Sequence, residues 1–404
     1  MAIFHTTNFI SKYITGRDKS LFANDIENNH ALLNQRIEDK SVLVIGGAGT
    51  IGSSFIKAIM HFNPSKIYVI DINENGLTEL VRDVRSSNGL NVPKVFVTYP
   101  INFGDPVFEK IFRNAGPFDI VANFAAHKHV RSEKDHYSIE AMIENNVIKA
   151  KKLLDILLEM PPQYFFCVST DKAANPVNVM GASKKLMEDV ILSYSTKIPI
   201  TTARFANVAF SNGSLLFGFI ERIMKGQPLS SPSDVKRYFV SPEESGQLCM
   251  LACILGESGD IFFPKLKTES MKTFAEIAVE FLKQFNKKPL LCESEQQAKE
   301  RAATLSDKSK FYPVHFFKSD TSGEKHFEEF YTEKESLDMI RFKELGIVKN
   351  APKQSLEDIN VMFGHLQEVF NKKDLKKQDI ITILESYIPN FQHIETGKSL
   401  DQKM

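Results

Sequence analysis

The chain has 404 residues, 43% hydrophobic and 25% charged, a composition ordinary for a soluble globular protein with two to three domains' worth of chain. Lys plus Arg and Asp plus Glu balance at 50 each, which removes any global electrostatic reason to bind nucleic acid or a membrane surface. The four cysteines show no paired zinc-binding spacing. No stretch approaches about 18 consecutive apolar residues and no signal-peptide pattern opens the chain, so we expect a reduced, cytoplasmic protein without a transmembrane segment or metal.

Residues 1–38 read as a polar, partly helical lead-in. The apolar run at 41–45 predicts a strand. It leads into Gly46-Gly47-Ala48-Gly49-Thr50-Ile51-Gly52 and a helical pattern over 53–60. Glycines in such a turn let the backbone approach a pyrophosphate at the helix N-terminus. The next strand, 66–70, ends in Asp71, whose carboxylate suits the two hydroxyls of an adenosine ribose and repels a 2′-phosphate; this favours NAD over NADP. Further strands are predicted at 94–99, 120–124, 164–169 and 200–204, with helices between them, notably over 138–158. That alternation argues for an α/β fold, a Rossmann-type doubly wound parallel sheet over 39–208. Beyond Val208 the pattern loosens, as expected of a smaller mixed α/β substrate-binding region over 209–404. It contains a polar, weakly ordered insertion near 294–310 and two amphipathic helices within 356–387.

Val168-Ser169-Thr170-Asp171-Lys172 carries the most chemistry. A hydroxyl, a carboxylate and an amine stand side by side where the strand at 164–169 ends, the edge at which open α/β sheets bind ligands. Asn178 is a good N-cap for a helix starting near Val179, on which Met180 and Lys184 share a face.

The segments VLVIGGAGTIGS, AAHKHV, ENNV, VSTDKAANPVNVMGASK, RFANVAFSNGS, KRYFVSPEES, GDIFFPK and SGEKHFEEF resemble those of extended short-chain dehydrogenase/reductase proteins. The resemblance is specifically to the polysaccharide-biosynthesis type of UDP-N-acetylglucosamine 4,6-dehydratase. It spans nearly the whole chain, including flanks like those of the catalytic domain in long, membrane-anchored members. Three positions depart from the common pattern: Met180 replaces the usual Tyr, as in some dehydratases of this type, Ala206 replaces Gly, and Asn212 replaces Arg.

The resemblance implies a nucleotide-sugar substrate, homo-oligomeric assembly and catalytic NAD held by Gly46, Gly49, Thr50, Ile51, Gly52, Asp71, Ala125 and Lys184. C4 of the sugar would be oxidised, a proton lost from C5, the C6 hydroxyl expelled and hydride returned to C6. Asp171 would be the acid at the C6 oxygen, Lys172 the base at C5 and Thr170 the partner of the C4 oxygen, with Lys184 adding positive potential. These roles require the Asp171 pKa to rise and the Lys172 pKa to fall. A thioether cannot take the C4 proton, so Met180 leaves that step to Asp171, Thr170 or Lys172. Lys128 and His129 follow the strand at 120–124, where a loop would pass near the nicotinamide or sugar; Asn207 and Arg237, and more weakly Lys325, match positions near the nucleotide; Asn102 is a weaker candidate for the adenine, and Asn146 is equally a structural residue. A 4-epimerase on the same scaffold and a non-catalytic NAD-binding regulator are the competing readings. The first ordinarily needs the absent tyrosine and has no use for the Asp171–Lys172 pair.

Overall fold

The computed structural model describes residues 4–306, 308–320, 325 and 327–394. Its centre is a nine-stranded sheet among the described residues. Six strands come in the expected places: β1 (Ser41–Ile45), β2 (Lys66–Asp71), β3 (Val95–Pro100), β4 (Ile120–Asn123), β5 (Tyr164–Val168) and β6 (Ile200–Ala203). They lie parallel in the order β3-β2-β1-β4-β5-β6. Strands β1, β4 and β6 are buried at every residue, which is why they read as unbroken apolar runs and not as alternating ones. Between β1 and β4 the direction of winding reverses, opening the crevice at the carboxyl ends where a ligand can enter.

The sheet continues past residue 208. Ile261–Pro264 pairs parallel with β6, Leu345–Lys349 pairs antiparallel with it, and Ser336–Asp338 closes that edge. A second sheet is built from Lys288–Leu291, Phe311–Phe317 and Leu229–Pro232. It has a separate aromatic core that includes Phe219, Phe281 and Tyr312, together with Phe9, Ile10 and Ile14 from the lead-in.

The lead-in is stapled down. Arg17 grips Glu244 with both ends of its guanidinium, at 2.8 and 2.7 Å, and the backbone N–H groups of Lys343 and Glu344 donate to the buried Asp25 carboxylate at 2.7 and 2.8 Å. The region near 294–310 is more ordered than its polarity suggests. Glu295–Ala303 is a helix capped by Ser294, with Ala298 as its buried contact. The two amphipathic helices are Leu356–Phe370 and Lys377–Tyr387.

One buried polar network ties together the elements that carry the polar triple Thr170-Asp171-Lys172. Arg204, at the end of β6, meets Glu188 on the helix Val179–Ser193 through two bonds of 2.9 and 2.7 Å. The Ser169 hydroxyl, at the end of β5, donates to the same carboxylate at 2.6 Å. Arg204 also reaches Glu335 at 2.9 Å and the Phe330 carbonyl at 3.2 Å. Its side chain is 1% exposed and that of Glu188 is 0% exposed, so neither charge can fall back on water.

Removing one partner of such a pair leaves the other charged and buried. Arg204→Ala is therefore expected to lower unfolding stability by about 3–5 kcal/mol, read from denaturant midpoints; a change under about 1 kcal/mol would contradict the account. Burial raises the Glu188 carboxyl, but Arg204 and Ser169 outweigh it and hold its pKa below the ordinary value. Its contribution is thus present above the usual carboxylate range and is lost as pH falls through the depressed folded-state value.

Candidate active site

At the carboxyl end of β1 the glycine-rich turn folds against the loop after β4. Gly46 has φ of 74°, and a Cβ there would lie 2.5 Å from the Ala125 nitrogen; a Cβ on Gly52 would lie 2.3 Å from the Gly46 carbonyl oxygen. Only glycine allows this approach. Gly49 is the N-cap of the helix Thr50–Met60, so Thr50, Ile51 and Gly52 form its first turn, whose free N–H groups suit a pyrophosphate. The Asp71 carboxylate, at the end of β2, accepts from Ala48 N at 2.9 Å and from Asn73 N at 2.9 Å, which orients it beside the turn. These features fit a dinucleotide. Asn102 accepts from Gly104 N at 2.9 Å and so caps its own turn.

The polar triple is where the sequence places it. Asn178 caps the following helix by accepting from Gly181 N at 2.7 Å, and Thr170 to Lys172 fill the turn between β5 and that helix. The Thr170 hydroxyl donates to Asp171 Oδ1 at 2.8 Å, and Lys172 Nζ donates to the same oxygen at 3.1 Å. A second carboxylate completes the arrangement: Glu328 Oε1 lies 3.3 Å from Lys172 Nζ and 3.9 Å from Arg237 Nη2. Asp171 is 4% exposed and Glu328 5%, so both carboxylates meet Lys172 away from bulk water.

This arrangement decides the direction of the Lys172 shift, which the sequence left open. Burial pulls the Lys172 ammonium toward a lower pKa, but Asp171 and Glu328 together outweigh it, with Arg237 opposing them weakly, and the group lies above the ordinary lysine value. A downward shift is found instead at Lys184, where burial dominates over Cys167 and Glu188. Lys184 Nζ donates to the Val168 carbonyl at 2.6 Å, at the end of β5. Met180 is buried in the main core cluster, and its backbone N–H donates to Glu133 at 2.9 Å.

The remaining candidates divide. Asn146 proves structural: it accepts from His127 N at 2.8 Å and donates to the His127 carbonyl at 2.9 Å and to Ser183 Oγ at 3.0 Å, tying the loop after β4 to the helix Val179–Ser193. The exposed Lys128 donates to the Asn212 carbonyl at 3.2 Å, and Asn212 N donates to Thr50 Oγ1 at 2.9 Å. His129 borders Gly213 on the same loop. Asn207 begins a two-residue pairing with Phe239–Val240, next to the buried Arg237. Arg237 Nη1 donates to the carbonyls of Lys236 and Lys325, both at 3.0 Å, and Lys325 Nζ donates to the Asn175 carbonyl at 2.6 Å. Of the segment SGEKHFEEF, residues 322–324 and 326 lie outside the described residues.

Sequence reading missed Glu328, Glu133 and Glu188. The available signal was an acidic residue in or beside a motif that already carried buried cations. Among the described residues no cluster of His, Cys, Asp or Glu could hold a metal, and no helix is long and apolar enough to cross a membrane.

Comparison with known proteins gives the family and the fold. Residues 42–350 match the family described as "Polysaccharide biosynthesis protein". A Methanocaldococcus jannaschii protein called an uncharacterized membrane protein is 34% identical over 252 residues, 61% of this chain and 72% of that one. The capsular polysaccharide biosynthesis protein CapD of Staphylococcus aureus is 31% identical over 241 residues, 59% of this chain but only 40% of CapD. Among solved structures, Pen from Bacillus thuringiensis superposes with a TM-score of 0.62 at 20% identity, covering 82% of this chain and 98% of Pen. DesIV of Streptomyces venezuelae, a dTDP-glucose 4,6-dehydratase with NAD bound, gives 0.54 at 18% identity over 72% of this chain and 88% of its own. The UDP-N-acetylglucosamine 4-epimerase of Methanobrevibacter ruminantium gives 0.53 at 18% identity, over 74% and 91%. At these identities the structural matches establish the fold, a Rossmann-type α/β domain.

Asn146→Ala would leave the partly buried N–H and carbonyl of His127 without their partner. The expected loss is about 1–3 kcal/mol of stability, with faster amide exchange at residues 125–129; unchanged exchange there would contradict the tethering role.

Proposed function

The chain belongs to the polysaccharide biosynthesis protein family, and from that premise we propose that it is an NAD-dependent 4,6-dehydratase acting on a UDP-N-acetylhexosamine, UDP-N-acetylglucosamine first. The observation that carries the reading is the shared Asp171 oxygen, which takes one hydrogen bond from Thr170 and one from Lys172. An elimination across C5 and C6 needs an acid and a base on adjacent carbons, and this pair supplies both within one turn.

The glycine turn and Asp71 fit NAD, with Ala125 and Lys184 as further contacts; when bound, the nicotinamide supplies the hydride chemistry at C4 and C6. The residues do the rest. Thr170 Oγ1 accepts the C4 hydroxyl proton while passing its own to Asp171 Oδ1, along the 2.8 Å bond it already makes. Asp171, now neutral, gives that proton to the departing C6 oxygen, which leaves as water. Lys172, as the free amine, takes the C5 proton and later returns it to C5. Asp171 ends as a carboxylate and Lys172 as an amine, so the cycle closes. The buried Met180 takes no part in proton transfer. Lys128, His129, Asn207 and Arg237 face the nucleotide sugar in this reading, a guanidinium being well suited to a diphosphate.

The 4-epimerase reading draws on the same scaffold, and relatives named UDP-glucose 4-epimerase reach 28% identity over 62% of this chain. It leaves the Asp171–Lys172 pair without a task. Asp171→Asn and Lys172→Ala, incubated with UDP-N-acetylglucosamine, should each lose about 10²- to 10⁴-fold in formation of the 4-keto-6-deoxy sugar while keeping bound NAD. Formation of the galacto isomer at undiminished rate in both variants would favour the epimerase. The ion pair that keeps Lys172 charged also predicts a pH dependence. Activity should fall on the acid side as the amine protonates, and kcat/KM that is flat or rises toward acid would contradict Lys172 as the base.

A further inference from the structure

Lys325 and the stretch from Phe327 to Glu335 are pinned at several points around the polar triple. Arg237 Nη1 takes the Lys325 carbonyl at 3.0 Å, Asn175 donates to Glu329 at 2.9 Å, and Arg204 takes the Phe330 carbonyl at 3.2 Å and Glu335 at 2.9 Å. Phe330 stacks against Phe263 with ring centroids 6.3 Å apart. Glu328 sits within this tethered stretch and is buried, and its one carboxylate oxygen lies 3.3 Å from Lys172 Nζ and 3.9 Å from Arg237 Nη2. A carboxylate held this firmly, with its charge turned toward a cation beside the reacting carbons, does more than fill space.

The geometry points to Glu328 as a positioning residue that clamps the Lys172 amine beside Asp171 and sets the pH at which it becomes a base. This assignment rests on the reading of Lys172 given above. Among the described residues, three charged groups face that amine: Asp171 from its own turn, Glu328 from the tethered segment and Arg237 from the strand Lys236–Arg237. The two carboxylates favour the ammonium and the guanidinium disfavours it. Asp171 loses its charge during the proposed cycle when it takes the C4 proton. Glu328 is then the fixed negative group that receives the ammonium formed at C5 and keeps it in place to return its proton. Specificity for where that proton goes back would therefore depend on a residue that never touches the sugar.

The direct test compares the wild type with Glu328→Gln, which keeps the shape and removes the charge, and Glu328→Asp, which keeps the charge. Two readouts are needed. The first is the pH profile of kcat and kcat/KM with UDP-N-acetylglucosamine and NAD; the second is the ionisation of Lys172 itself, followed by NMR of protein labelled with ¹³C-lysine, its signal assigned by loss in Lys172→Arg. In Glu328→Gln the acid limb and the Lys172 titration should both move to lower pH by roughly one unit or more, kcat should change more than KM, and Glu328→Asp should restore most of the wild-type profile. A Lys172 titration that coincides in wild type and Glu328→Gln overturns the assignment, whether or not the protein turns over. If the titration moves as expected but no variant, nor the wild type, makes a 4-keto sugar, the clamp stands and the dehydratase reading falls.

Discussion

Everything at the site hangs on the buried contact between Arg204 and Glu188. Two charges with almost no access to water can remain only if their hydrogen bonds are met, and here they are met by four different parts of the chain. Ser169 brings in the end of β5, Glu188 the helix Val179–Ser193, Arg204 the end of β6, and Phe330 with Glu335 the segment that carries Glu328. Through Ser169, the residue before Thr170, the network anchors the end of β5 where the turn begins. A hydrophobic cluster of the same size would hold these elements together but would leave their relative rotation less defined. The charged network adds direction as well as contact.

In front of that network the charges are arranged differently. Lys172 is flanked by two buried carboxylates, and Thr170 addresses the same oxygen of Asp171 that Lys172 does. The layout concentrates proton donors and acceptors on one side of the crevice and leaves the glycine turn and Asp71 on the other. Met180 stands where the sequence resemblance leads one to expect a tyrosine. Its thioether lies in the core and its N–H on Glu133, and in the proposed mechanism proton transfer falls to the hydroxyl–carboxylate pair. The buried thiols stand apart from this chemistry: burial raises the Cys167 pKa to about 11 and also raises those of Cys249 and Cys253, so all three remain neutral core groups.

Much of this was legible in the sequence, for identifiable reasons. The six parallel strands fall within a residue or so of their expected limits because central parallel strands are apolar on both faces and turn residues bound them. The cap at Asn178 and the glycine turn were readable because they depend on neighbours in sequence. Contacts between distant segments were not. Nothing in the spacing joins Glu328 to Lys172 or Glu188 to Arg204. The helix Glu295–Ala303 was hidden because its polar residues give almost no apolar period, with Ala298 as its buried contact. The direction of the Lys172 shift was unreadable for the same reason: burial alone lowers a lysine, and only the fold reveals the second carboxylate that reverses the sign.

Proton NMR of the protein turning over UDP-N-acetylglucosamine in D₂O tests the central claim most directly. If Asp171 and Lys172 carry out an elimination across C5 and C6, a new C6 methyl signal must appear with deuterium at C5, the base having exchanged with solvent. A galacto isomer without a methyl signal, or an unchanged substrate beside bound NAD, would contradict it.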